Sequence, residues 1–151
     1  METEIINISK SNNKEEIYNK LITYYKDNKL IAIPTETVYG LSADATSDEA
    51  VCKIYEAKGR PSDNPLIVHF YEMNQLNDIV DYQDERVEKL IENFWPGPMT
   101  LILNAKENNG ISKKVSAGLS TLAVRMPSNK TARQILKETK VLLAAPSANT
   151  S

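Results

Sequence analysis

Apolar positions along the chain fall into ten blocks, five at helical spacing and five as short continuous runs. Ile17, Leu21, Tyr24 and Tyr25 share one helical face, with Asn12 or Asn13 available as its cap. Leu30 to Ile33 reads as a strand stopped by Pro34. Thr46 followed by Glu49 makes a capping-box pattern ahead of Val51, Ile54 and Tyr55. That helix is predicted to end near Gly59, which tolerates a left-handed terminus. Leu66 to Phe70 reads as a buried strand. Two helices follow, one on Met73, Leu76, Ile79 and Val80, the other on Val87, Leu90, Ile91 and Phe94. Trp95-Pro96-Gly97-Pro98 is a rigid turn, because both prolines fix φ and withhold an amide. Strands are predicted at Met99 to Leu103, Leu122 to Met126 and Val141 to Ala145, with a helix around Ala132, Ile135 and Leu136. The stretch from Ala105 to Lys113 is polar and reads as a mobile surface loop.

The resulting order, αβα βαα β β α β, predicts an α/β fold: a twisted, mixed parallel and antiparallel sheet with flanking helices. Long crossovers permit parallel pairs, whereas Met99–Leu103 and Leu122–Met126 can pair antiparallel across a loop. A length of 151 residues fits one domain with a real core, and neither repeats nor low-complexity linkers interrupt it. Formal net charge is −2, so no global field argues for nucleic acid, although a local basic patch is compatible with it. Cys52 is the only cysteine and His69 the only histidine, which excludes a disulfide framework and Cys- or His-rich metal sites. Cys52 is expected on the apolar side of its helix. The N-terminus lacks a basic region followed by an apolar run, and no stretch approaches membrane-spanning length, so a cytoplasmic protein is expected.

Candidate chemistry collects where elements run out. Lys58-Gly59-Arg60 offers two cations around a glycine, and Ser147-Ala148-Asn149 a hydroxyl and an amide two residues apart. Such groups hold phosphate and carboxylate oxygens; the same cations also serve the last turn of a helix against its dipole. Pro34 to Leu41 follows the first strand, and its threonines, Thr35 and Thr37, and Glu36 are expected to leave the sheet at its carboxyl edge; a turn stabilised by threonine hydroxyls and Gly40 is the competing reading. His69, on an apolar strand, reads as a core histidine or a ligand. Arg125 closes a strand and requires an anionic partner or water. Four strand ends supplying these groups imply one electropositive, donor-rich rim. No Walker loop or serine–histidine–acid set is present, so any nucleotide cradle is built from side chains.

These residues resemble the YrdC/TsaC family of threonylcarbamoyl-adenylate synthases. The matched segments are Pro34 to Leu41, Lys58-Gly59-Arg60-Pro61 with Asn64-Pro65-Leu66, Trp95-Pro96-Gly97-Pro98-Met99-Thr100, Leu122 to Pro127, and Pro146-Ser147-Ala148-Asn149. The family's Lys-x-Arg and Ser-x-Asn signature corresponds to Lys58, Arg60, Ser147 and Asn149. The resemblance implies a concave electropositive cleft and condensation of L-threonine, bicarbonate and ATP into threonylcarbamoyl-AMP, releasing pyrophosphate. ATP is then a substrate, with Mg2+ accompanying it and no protein metal site. The resemblance implies Lys58 and Arg60 as catalytic cations. It assigns Thr37, His69, Arg125 and Ala145 to threonine, and Lys58, Arg60, Asn64, Thr121, Ser147 and Asn149 to the nucleotide. The implied partners are a tRNA-modifying transferase complex that accepts the adenylate and, weakly, tRNA itself.

The chain stops six residues after Ala145, so it is expected to be a single YrdC-like domain, 1–151, lacking the family's C-terminal strands. Three alternatives accompany this reading: an RNA-binding module, a noncatalytic remnant that binds threonine or nucleotide, and the related domain of hydrogenase maturation proteins. The last carries cysteine-rich zinc motifs and an acylphosphatase domain, which this sequence lacks.

Overall fold

The computed structural model describes residues 4–8, 12–36, 39–59 and 65–146. Helix α1 is Lys14–Lys26, capped by Asn13, whose side chain accepts from the Glu16 amide. Strands β1 (Ile31–Pro34) and β2 (Tyr39–Asp44) form an antiparallel hairpin in which Pro34 pairs with Tyr39. Thr35 and Glu36 leave the sheet after Pro34, as expected, and Tyr39 to Leu41 returns into it as part of a strand not expected from the sequence. Pro34 lacks an amide but occupies the outermost strand, where no ladder donor is needed.

Helix α2 (Asp48–Lys58) is capped by Ser47, not Thr46: the Ser47 side chain accepts from the Ala50 amide. Thr46 turns back instead, its Oγ1 donating to Asp44 at 2.6 Å. The helix ends as expected at Gly59, with φ 58°. Next come β3 (Ile67–His69), α3 (Met73–Ile79), β4 (Val80–Asp81), α4 (Glu85–Phe94), β5 (Leu101–Ala105), β6 (Thr121–Arg125), α5 (Lys130–Thr139) and β7 (Leu143–Ala145). The seven strands lie in the order β1-β2-β7-β3-β6-β5-β4. Among the described residues β3 and β6 form a parallel pair, and the other neighbours run antiparallel.

Successive strand residues face opposite sides of a sheet, and here each side has its own core. One side carries Leu103, Leu122, Val124, Val68 and Ala144, packed beneath Val51, Ile54 and Tyr55 of α2 and Leu76 and Ile79 of α3. On the other side, α1 and α5 lay Tyr18, Leu21, Tyr25, Ile135 and Leu136 over Ile33 and Leu143. The Tyr25 hydroxyl, fully buried, lies 2.8 Å from Ser42 Oγ, which in turn donates to the Ile31 carbonyl at 2.7 Å. No buried oxygen in that chain is left without a partner, which is what makes it tolerable in an apolar layer.

The segment after β5 is not a loose loop. Ser112 donates its amide to Ala45 at 2.8 Å, Lys106 its amide to Ile79 at 2.9 Å, and Ile111 and Val115 are buried in the first core. Cys52 is half-buried and not fully in the core.

Candidate functional site

Helices α1 and α5 cover only the β1-β2-β7 half of their side. Among the described residues, those of β3, β6 and β5 that face this side belong to neither core. Alternation places Ile67 and His69 of β3, Thr121, Ala123 and Arg125 of β6, and Ile102 and Asn104 of β5 there, joined across the strands as Ile67–Ala123, His69–Arg125, Ile102–Ala123 and Asn104–Thr121. Ile102 is 70 % exposed, an unusual state for isoleucine at the middle of a strand. The candidate site is therefore a sheet face. This corrects the expected rim of carboxyl strand ends: β7 runs against β3, setting Ala145 opposite Ile67 and Leu143 opposite His69. Thr121 and Arg125 likewise stand at opposite ends of one strand, about 13 Å apart by strand rise.

Arg125 is held from the side. Its Nε and Nη2 donate to Thr100 Oγ1 at 2.9 and 2.6 Å, leaving Nη1 and the outer edge of Nη2 clear of Thr100. Thr100 owes its place to the turn before β5. Trp95 Nε1 donates to the Met99 carbonyl at 2.7 Å, the indole packs edge-on to Phe70 at 5.3 Å, and the Gly97 amide donates to Met126 at 2.9 Å. The Trp95–Pro96 peptide is cis. Burial lowers the Arg125 pKa from its ordinary value, and the charge of Glu36 counters that fall.

His69 faces Arg125 across the parallel pair and is 6 % exposed. Burial, and then the Arg125 charge, push its pKa down to about 4, against smaller opposing contributions from the Ile67 backbone, Glu36 and the Leu143 backbone. The ring is neutral at physiological pH, with Nδ1 donating to the Ile67 carbonyl at 3.2 Å.

Glu36 reaches this corner from the β1–β2 connection. Ser128 donates to its Oε1 twice, from the amide at 2.7 Å and the hydroxyl at 3.0 Å, while Asn129 Nδ2 donates to the Thr35 carbonyl at 3.2 Å. Partial burial acts to raise the Glu36 pKa. The Ser128 amide, its own amide, the Ser128 hydroxyl and Arg125 outweigh this and hold it below the usual carboxylate range.

Of the residues assigned from sequence, His69, Arg125, Ala145 and Thr121 lie on this side of the sheet, with Ala145 buried beside Ile67 and Thr121 half-exposed at the far end of β6. Lys58 is exposed in the last turn of α2, which packs against the opposite side. Thr37, Arg60, Asn64, Ser147 and Asn149 lie outside the described residues. Glu36, Thr100 and Ser128 were given no role from sequence. The strand period hinted at Thr100, which falls two residues before the exposed Ile102 on the same face.

Among the described residues no group of three or more His, Cys, Asp or Glu side chains comes together as a metal site. No helix of the described chain is long and apolar enough to cross a membrane.

Residues 23–151 match the Sua5/YciO/YrdC family, described as "Telomere recombination". The chain is 51 % identical over 126 residues to threonylcarbamoyl-AMP synthase of Bacillus subtilis, covering 83 % of this chain and 36 % of that protein. Against the Pyrococcus abyssi protein of the same name identity is 45 % over 128 residues, covering 85 % of this chain and 37 % of the relative. The chain thus spans about a third of the length of these curated relatives. A crystal structure of P. abyssi Sua5 complexed with L-threonine superposes with a TM-score of 0.82 at 41 % identity, covering 98 % of this chain and 41 % of that one.

Proposed function

Since the chain belongs to the Sua5/YciO/YrdC family, we propose that it carries the threonine- and nucleotide-binding face of a threonylcarbamoyl-AMP synthase, condensing L-threonine, bicarbonate and ATP with release of pyrophosphate. The observation that carries this reading is the His69–Arg125 pair, set side by side on one face of a sheet that superposes on a threonine-bound Sua5. Arg125 offers its outer N–H groups to the amino-acid carboxylate. Neutral His69 packs beside it and adds no second positive charge.

The reaction joins anions. The threonine ammonium gives up a proton, the free amine attacks bicarbonate, and water leaves to give a carbamate; a carbamate oxygen then attacks the α-phosphate and displaces pyrophosphate. Little covalent work falls to the protein; alignment and neutralisation of charge do most of it. Lys58 and Arg60 are proposed to meet the charge growing at the α-phosphate. Asn64, Thr121, Ser147 and Asn149 are proposed to hold the nucleotide, and Thr37 and Ala145 to border the amino acid. The spacing along β6 favours this division, with Thr121 for nucleotide and Arg125 for threonine at its two ends.

Mg2+ is proposed to arrive on the triphosphate, where it would screen the phosphate charge. The adenylate would pass to a transferase complex that modifies tRNA, in a cytoplasmic setting. Pyrophosphate release measured with ATP, L-threonine and bicarbonate, each omitted in turn, tests the proposal. Release that ignores threonine would overturn it. Salt-sensitive RNA binding without release would favour the RNA-binding alternative instead.

A further inference from the structure

Resting on that reading, we infer that Glu36 is a specificity-determining residue: it makes the Arg125 subsite select zwitterionic amino acids over simple carboxylates. Three observations carry this. Glu36 is fastened to the segment that leaves β6, because Ser128, three residues past Arg125, clamps its Oε1 with two hydrogen bonds. Glu36 and Arg125 nevertheless form no ion pair: the pairs among the described residues are Lys20–Glu4, Arg86–Asp84 and Lys106–Asp81. The guanidinium is instead steered by neutral Thr100, so its outer N–H groups are not spent on a protein carboxylate.

The consequence is that the charges of the described residues at this subsite cancel before any ligand arrives. Arg125 contributes +1, Glu36 −1, and buried His69 is neutral. A zwitterion enters without adding net charge, its carboxylate toward Arg125 and its ammonium on the side of Glu36. A plain carboxylate brings an uncompensated negative charge near Glu36 in a partly desolvated corner, where repulsion is poorly screened. Discrimination then comes from a repulsive element as much as from an attractive one.

Two ligands read this out: L-threonine, and (R)-3-hydroxybutyrate, which keeps the carbon skeleton and hydroxyl but lacks the amine. Affinities are measured by calorimetry for the unmodified chain, Glu36→Gln and Ser128→Ala. Glutamine keeps an amide oxygen for Ser128 and removes only the charge; Glu36 lies in neither core, so the fold survives, as a thermal melt verifies. In Glu36→Gln the preference for threonine should fall by about tenfold, with hydroxybutyrate binding unchanged or tighter. Ser128→Ala, which keeps the charge and the 2.7 Å bond from the residue-128 amide, should leave the preference within about threefold. An unchanged preference in Glu36→Gln, or an equal fall in Ser128→Ala, overturns the inference. An unmodified chain that does not bind threonine overturns the functional proposal itself.

Discussion

Thr100 Oγ1 accepts from both Nε and Nη2 of Arg125, at 2.9 and 2.6 Å. One hydroxyl thereby fixes the plane of a half-buried guanidinium and decides which of its edges is presented. Thr100→Val keeps the shape and removes the acceptor. These bonds exist without ligand, so their loss should lower stability by about 1.5–3 kcal/mol, and threonine affinity should fall roughly tenfold as the guanidinium loses its orientation. Calorimetry of the variant beside the parent checks this, and equal affinities would show that Thr100 does not orient Arg125.

Arg125→Ala removes the proposed carboxylate partner outright. Truncating one member of a desolvated charge pair costs about 2–5 kcal/mol, and threonine binding should weaken accordingly while the chain stays folded. Arg125→Lys should rescue little, because an ammonium cannot keep the two-pronged bond to Thr100 and face a ligand at once. Full affinity in either variant, or loss of the fold, would make Arg125 structural.

His69 links stability to pH. Its pKa drops on folding from an ordinary 6.5 to about 4, so the unfolded chain binds a proton that the folded chain refuses. The associated stability is present above pH 6.5 and is lost as pH falls toward 4, by at most about 3 kcal/mol. Urea unfolding at pH 7, 6 and 5 should show this decline, and His69→Leu should flatten it. A slope unchanged by the substitution would assign the proton to another group.

Gly97 tests the scaffold behind Thr100. A Cβ there would lie 2.4 Å from the Phe94 carbonyl oxygen, and its amide ties the turn to Met126. Gly97→Ala must therefore shift the turn relative to the end of α4, at a cost of about 1–3 kcal/mol. Threonine affinity should fall in parallel, as Thr100 moves with the turn. A stable variant with native affinity would mean that the turn does not position Thr100.

The elements with sharp local signals were legible in the sequence. Asn13 and Gly59 bracket helices as their chemistry dictates, and the antiparallel β5–β6 pair follows from two apolar runs across a loop. Strand β2 was not legible. Tyr39-Gly40-Leu41-Ser42-Ala43-Asp44 has no β-branched residue, and its buried serine is explained only by Tyr25 from a distant helix. The cap of α2 turned on a contest between adjacent hydroxyls, settled when Asp44 engaged Thr46. For the site, residue types were readable and directions were not. His69 and Arg125 stood out, but that they share a face depends on which strand lies beside which. Glu36 stayed hidden because Ser128 is 92 positions away.

The position of β7 has a consequence for how the chain folds. Last of the described strands, it lies between β2 and β3, and nothing else in the sheet connects the β1–β2 hairpin to the remaining four strands. During synthesis both open edges, β2 and β3, must wait unpaired until Leu143 to Ala145 has emerged. Exposed strand edges are templates for pairing with other chains. The two parts of the described sheet are thus joined by insertion of a three-residue central strand, and until it arrives the waiting edges of β2 and β3 are open to aggregation.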